Sequence, residues 1–352
     1  GGGVAGGAGG GGTGGGGTGG GVGGGVGGGA GGGAPFVWTR LTFNPVPSRV
    51  VTTNDVRGLT RRPSGELWVA LSDGTVYRAM PGSDVLNLVP GFPVPTSNTE
   101  LLDLAAAENE LLLLRGATVM ACSGACGSFS DFTTVLTLPS GEDGFDFCTQ
   151  GPRAFLTENG LTGGLYELVR DGGVSFVQRT ANLGVGDVTE CTISESGDVF
   201  VAGDTAVAVY RTTGGISVEP IDLGGQPSSW WRAIATSGTG AQLSGFLVGG
   251  GSGYRSATRA AGTWTSQAPD TSGTLLTSVL MLAASDVLAG GVTNDGTTRP
   301  GILRWNGTQL VALSPPAPVF EVTRGLAVSA NEVYFGGGER TGGGYVVVRG
   351  TR

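Results

Sequence analysis

Histidine and lysine are absent from all 352 residues, and each of the 20 basic side chains is arginine. Without histidine the chain lacks the side chain that titrates near neutrality and the commonest nitrogen ligand for zinc. Charged residues amount to only 14%, with a net charge of −8. That balance argues against a nucleic-acid partner, which needs concentrated cationic surface to displace counterions. No run approaches the ~18 apolar residues of a transmembrane helix. Sustained helical periodicity is missing as well. LLDLAAAENELLLL (101–114) comes nearest, and its Glu108-Asn109 reads better as a hairpin turn.

Cofactor and metal signatures are equally thin. GVAGGAG (3–9) mimics a glycine-rich phosphate loop but has no strand before it and no helix after it. Asn294-Asp295-Gly296 lacks the rest of a calcium loop and reads as a hairpin turn. No cofactor and no metal site is expected. The chain opens on Gly1 rather than Met and reads as a mature, processed chain.

Glycine is what the chain has in excess, and it is unevenly placed. Twenty-five of the 71 glycines fall within the first 33 residues. The composition changes at Ala34-Pro35, which separates a low-complexity arm (1–35) from one globular body (36–352). The arm is interrupted at Val4, Ala8, Thr13, Thr18, Val22, Val26, Ala30 and Ala34, settling to a strict GGGX period. Alone, such a segment buries too little to offset roughly 1–2 kcal/mol per residue of backbone ordering. It can become ordered only by pairing its amides with other backbones. Polyglycine II, a three-fold rod about 105 Å long, suits the spacing better than a β-strand. Five-residue steps would swap faces in a strand but do little harm in a three-fold helix. Arms of neighbouring subunits are then the natural partners, and an open head-to-tail contact makes filaments.

The body repeats itself. SGELWVALS, ENELLLLRG, GPRAFLTEN, SGDVFVAGD, LSGFLVGGG, AASDVLAGG and SANEVYFGG recur along it. They align at Glu66, Glu110, Arg153, Asp198, Gly245, Asp286 and Glu332, at intervals of 41 to 47 residues. Each unit parses into four short strand-like runs, the mark of a β-propeller. The fold class expected is all-β, a seven-bladed β-propeller with four-stranded blades. The last unit lacks a fourth strand, and FVWTRLTFNP (36–45) belongs to no unit. Residues 36–45 are therefore expected to complete blade seven, since a ring must pair its ends or leave an exposed edge.

Four cysteines, an even and small number, suit an oxidising compartment; a structural zinc site is the competing reading. Cys122 and Cys126 are close enough for a local loop. Cys148 and Cys191 lie one repeat apart in first strands, where a disulfide would join blades three and four.

The stretch Ser285 to Leu310, with SDVLAGG and GILRWNGTQL, resembles the repeats of secreted bacterial β-propeller proteins. That group is related in architecture to kelch, sialidase-like and WD-repeat propellers. The resemblance implies the fold and an extracellular or cell-surface setting, secreted or lipid-anchored. It carries no catalytic residue across.

Catalytic constellations do not emerge. The recurring acids Glu66, Glu110, Asp198, Asp286 and Glu332 occupy one hairpin corner, which favours a structural role over paired-carboxylate hydrolysis. Trp230, Trp231 and Arg232 are candidates for a binding rim, where an exposed Trp beside Arg could stack a sugar; core packing competes. Asn306-Gly307-Thr308 fits an N-glycosylation triplet. The leading functional expectation is an extracellular structural protein whose arms build a filament core, with self as partner. The alternative is a tethered propeller that binds a glycan or protein, and a polysaccharide-active enzyme ranks below both.

Overall fold

The computed structural model describes residues 34–47, 55–93, 102–159, 163–186, 188–203, 206–223, 230–250, 255–266, 274–293, 301–313, 320–339 and 344–352. All regular structure there is β, apart from two single 3-10 turns. Two short strands come first, β1 (Val37–Arg40) and β2 (Thr42–Asn44). The next sheet holds β3 (Val56–Arg61), β4 (Leu67–Leu71), β5 (Val76–Ala79) and β6 (Val85–Val89). After it come β7 (Leu102–Ala107), β8 (Glu110–Arg115), β9 (Thr118–Ser123) and β10 (Thr133–Thr137). The third group is β11 (Asp143–Gln150), β12 (Arg153–Asn159), β13 (Leu165–Val169) and β14 (Ser175–Thr180).

An eight-stranded sheet takes the next run. It contains β15 (Glu190–Ile193), β16 (Val199–Ala202), β17 (Ala206–Arg211) and β18 (Gly215–Asp222). Its other members are β19 (Trp230–Ser237), β20 (Ser244–Gly250), β21 (Arg255–Ala260) and β22 (Thr263–Ser266). Then come β23 (Thr274–Ala283), β24 (Asp286–Thr293), β25 (Ile302–Trp305) and β26 (Leu310–Ala312). The last sheet is β27 (Phe320–Ser329), β28 (Glu332–Glu339), β29 (Tyr345–Thr351) and, on its edge, β1. The result is a β-propeller of five sheets with four or five strands each, and one sheet of eight.

Local sequence explains the layering. Second strands are continuous apolar runs, LWVAL in β4 and ELLLLR in β8, and they are buried along almost their whole length. A strand covered on both faces needs no polar alternation. Fourth strands are polar and open, as in GISVEPID of β18. Apolar cores accordingly lie between neighbouring sheets. Trp68, Leu104 and Leu111 share one, and Ala107, Leu112 and Tyr166 share the next.

The leading strand divides where the sequence reading kept it whole. β1 pairs antiparallel with β29, from Val37 opposite Thr351 to Arg40 opposite Val348. At Leu41 the chain crosses over, and β2 adds in parallel to β6 of the first sheet. Leu41 and Phe43 are buried together with Val56, Tyr77, Tyr334 and Tyr345. One decapeptide thus joins the first sheet to the last, because its apolar residues are shared between two cores rather than aligned along one edge.

Candidate functional site

First strands converge on the centre of the ring. A position repeats there as Gly58, Asp103, Asp146, Glu190, Ala233, Ser278 and Arg324, at intervals of 43 to 46 residues. At the first of these the strands run so close that a Cβ on Gly58 would sit 2.5 Å from the Leu104 nitrogen. The acids among them line a cavity of about 80 Å³ together with Thr277, Ser278 and Arg324.

Each aspartate reaches the next strand. Asp103 accepts hydrogen bonds from the Leu104 amide at 2.8 Å and the Phe147 amide at 3.0 Å. Asp146 accepts one from the Cys191 amide at 3.2 Å. Arg324 donates to Asp146 at 3.3 Å and to the Arg57 carbonyl at 2.6 Å, and stands 3.9 Å from Asp103. Burial raises the Asp146 pKa to about 7, with Arg324 opposing and the Asp103 charge adding. Burial also raises Asp103, against Arg324 and its amide donors. Glu190 is driven well above the usual carboxylate range by burial and then by the Asp146 charge. Burial works against the Arg324 charge, but the three carboxylates outweigh it and hold the guanidinium protonated.

The hairpins between first and second strands gather at one end of the channel. There a depression of about 450 Å³ opens, lined by Arg61, Arg62, Glu108, Thr149, Leu326 and Val328 among others. Its two arginines are engaged. Arg61 pairs with Glu332 at 2.7 Å, and Arg62 donates to the carbonyls of Gly124 and Asn109. Glu108 is exposed at a left-handed φ of 56°.

Hairpin-corner acids prove to be clasps. Glu110 binds Arg170 at 2.7 Å, Asp286 binds Arg304 at 2.9 Å and Arg352 at 2.6 Å, and Asp198 lies 3.5 Å from Arg211. Glu66 lies 3.6 Å from Arg62 and 3.5 Å from Arg78. Among the described residues arginine is their principal partner. With lysine absent, the planar fork of arginine supplies these bidentate and bridging contacts. Arg153 occupies the acid's position in the third sheet with the polarity reversed, 3.5 Å from Glu167.

Both disulfides form. Cys148 and Cys191 join first strands β11 and β15 with Cα atoms 5.5 Å apart, and both side chains are buried. Cys122 and Cys126 close a tight loop with Cα atoms 5.8 Å apart. Its carbonyls at Gly124 and Ala125 receive Arg62 and Arg78 from the preceding sheet. The zinc alternative is thereby displaced.

Of the candidate rim residues Trp230, Trp231 and Arg232, Trp231 does not reach the surface. Trp231 is fully buried, because the pleat of β19 directs it into the core with Phe200, Leu247 and Trp264. Arg232 is half-buried beside it, and the Trp230 side chain lies outside the described residues. Val4, Ala8, Thr13, Thr18, Val22, Val26 and Ala30 also lie outside them, as do GVAGGAG and Asn294-Asp295-Gly296. Ala34 is exposed, and its carbonyl accepts from Arg352 at 3.5 Å. Asn306 forms a turn in which its Oδ1 accepts from the Thr308 amide at 3.0 Å.

No family model matches the chain, and no curated protein matches its sequence. Solved structures share its fold. Virginiamycin B lyase from Staphylococcus aureus aligns with a TM-score of 0.65 at 14% identity, over 90% of this chain and 99% of its own. The same lyase is known as a catalytically inactive histidine-to-alanine variant with quinupristin. YCF48 bound to D1 peptide aligns with a TM-score of 0.59 at 10% identity, over 91% and 97%. The WD40 repeats of RRP9 give 0.62 at 14%, over 92% and 99%. At these identities the likeness extends to the β-propeller fold alone.

Proposed function

We propose that the chain is a secreted, seven-bladed β-propeller that acts as a binding module, receiving an extended peptide segment of a partner protein in the hairpin-end depression. Seven follows when the eight-stranded sheet is counted as two blades. Its halves touch through only two parallel pairs, Ile221–Trp264 and Asp222–Thr265, while each half is its own antiparallel meander. Seven apolar clusters between neighbouring units support the same count. Two disulfides fit a secreted protein.

The depression is the observation that carries the reading. It sits where four first strands end, and it mixes apolar side chains with an exposed acid and hydroxyls. Such a surface suits recognition of a short extended segment more than bond-breaking. The S. aureus lyase loses activity with a histidine, and this chain contains none to supply that group. Peptide display on the purified protein should enrich a sequence family, and Ala327→Arg, which fills the depression, should abolish its binding at unchanged stability. Enrichment that ignores this substitution would rule out the depression as the site.

A second reading gives the active part to the glycine arm. β1 delivers the chain to the outer edge of the last sheet, where Ala34 is exposed and clear of the channel. Arms could then pack with those of neighbouring subunits into a filament core. Deleting residues 1–33 should abolish polymers seen by electron microscopy while leaving peptide binding intact. Uniform single particles of the full chain at every concentration would refute the filament.

A further inference from the structure

The hub holds more acid than base. Asp103, Asp146 and Glu190 come from three successive first strands and face one guanidinium, that of Arg324. Fully ionised, they would leave two uncompensated negative charges around a cavity of about 80 Å³. Excess buried charge of that kind is strongly unfavourable, so such groups take up protons instead. Hydrogen bonding points the same way. Glu190 Oε2 is buried with no hydrogen-bond partner among the described residues, a poor place for an ionised oxygen.

Other charges on the first strands do not close the deficit. β3 gives Arg324 only the Arg57 carbonyl, while the Arg57 guanidinium pairs with Asp55 at 3.1 Å. β19 has Ala233 at the hub position, with half-buried Arg232 before it. β23 offers hydroxyls, at Thr277 and Ser278. The further charged residues Asp143 on β11 and Glu321 on β27 are acids and add no positive charge.

We infer that the hub is a proton-loaded lock: Asp146 and Glu190 hold protons in mild acid, and their loss sets like charges against one another across adjoining first strands and loosens the ring. The sign follows from linkage. Asp146 binds its proton more tightly in the folded chain than in the unfolded one, with a folded pKa of about 7. Its contribution is therefore full below the unfolded carboxylate range near ~4 and is lost as pH rises through about 7. Glu190 extends the loss in the same direction. The device is local, since the same Asp146 receives the Cys191 amide and the same Asp103 receives the Phe147 amide.

Thermal melting of the full chain between about pH 5.5 and 8.5 tests this. The wild type is expected to lose several degrees as pH rises, and Asp146→Asn with Glu190→Gln should flatten the profile. Glu158→Gln is the control. That acid is also raised by burial and by the Glu142 charge, but it lies on second strand β12, so the slope should persist without it. If the hub variants do not fold, infrared spectroscopy of the wild type should show a protonated buried carboxyl at pH ~6 that disappears by pH ~8.5. A flat wild-type profile, a slope that survives the double substitution, or no protonated carboxyl band would overturn the lock.

Discussion

Trp231 shows how little room the ring leaves for side chains at its radial seams. It is fully buried against Phe200, Leu247 and Trp264, and its indole nitrogen has no hydrogen-bond partner among the described residues. Removal of the ring should leave a large void, because packed neighbours collapse only partly. Trp231→Ala is expected to lower stability by about 3–5 kcal/mol in chemical denaturation. Peptide binding in folded protein should be unchanged, since this side chain does not line the depression. A binding loss larger than the stability loss would return Trp231 to a recognition role. From the sequence, Trp230, Trp231 and Arg232 were equally eligible, because pleating fixes that adjacent residues face opposite ways but not which of them faces the core.

At the scale of elements, the disulfide between β11 and β15 joins two strands that otherwise meet through side-chain contacts, an amide–carboxylate bond and shared apolar packing. Its loop spans 43 residues, for which chain entropy gives about 3–4 kcal/mol. The Cys148→Ser, Cys191→Ser pair should lower the denaturation midpoint accordingly, and replacing Cys122 and Cys126 should cost less, because their loop is far shorter. Equal effects would show that the longer bridge constrains nothing beyond its own strands. This pairing was legible because the spacing matched the repeat. The hub acids carried the same signal, at intervals of 43 and 44 residues, seven or eight positions ahead of the marked hairpin corners. The hairpin corners mark the repeat more visibly than these buried acids, whose residue type changes from unit to unit. The break at Leu41 was not legible at all: whether FVWTRLTFNP serves one sheet or two depends on strand partners more than 40 positions away.

The whole molecule is a ring whose two ends are tied by one short segment, whose seams are clasped by arginine–carboxylate pairs, and whose centre holds protons. These features leave the hairpin-end depression as a preformed surface on a rigid frame, with first-strand backbones fixed by pairing on one side and by the hub on the other. Recognition there should therefore need little rearrangement of the frame. Hydrogen–deuterium exchange of the full chain with and without a display-selected peptide addresses this directly. Added protection is expected at residues 60–65, 106–108, 149–151 and 326–328, with the fourth strands and the glycine arm unaffected. Protection confined to the fourth strands or to the arm would contradict recognition at the depression and move the function to the outside of the ring.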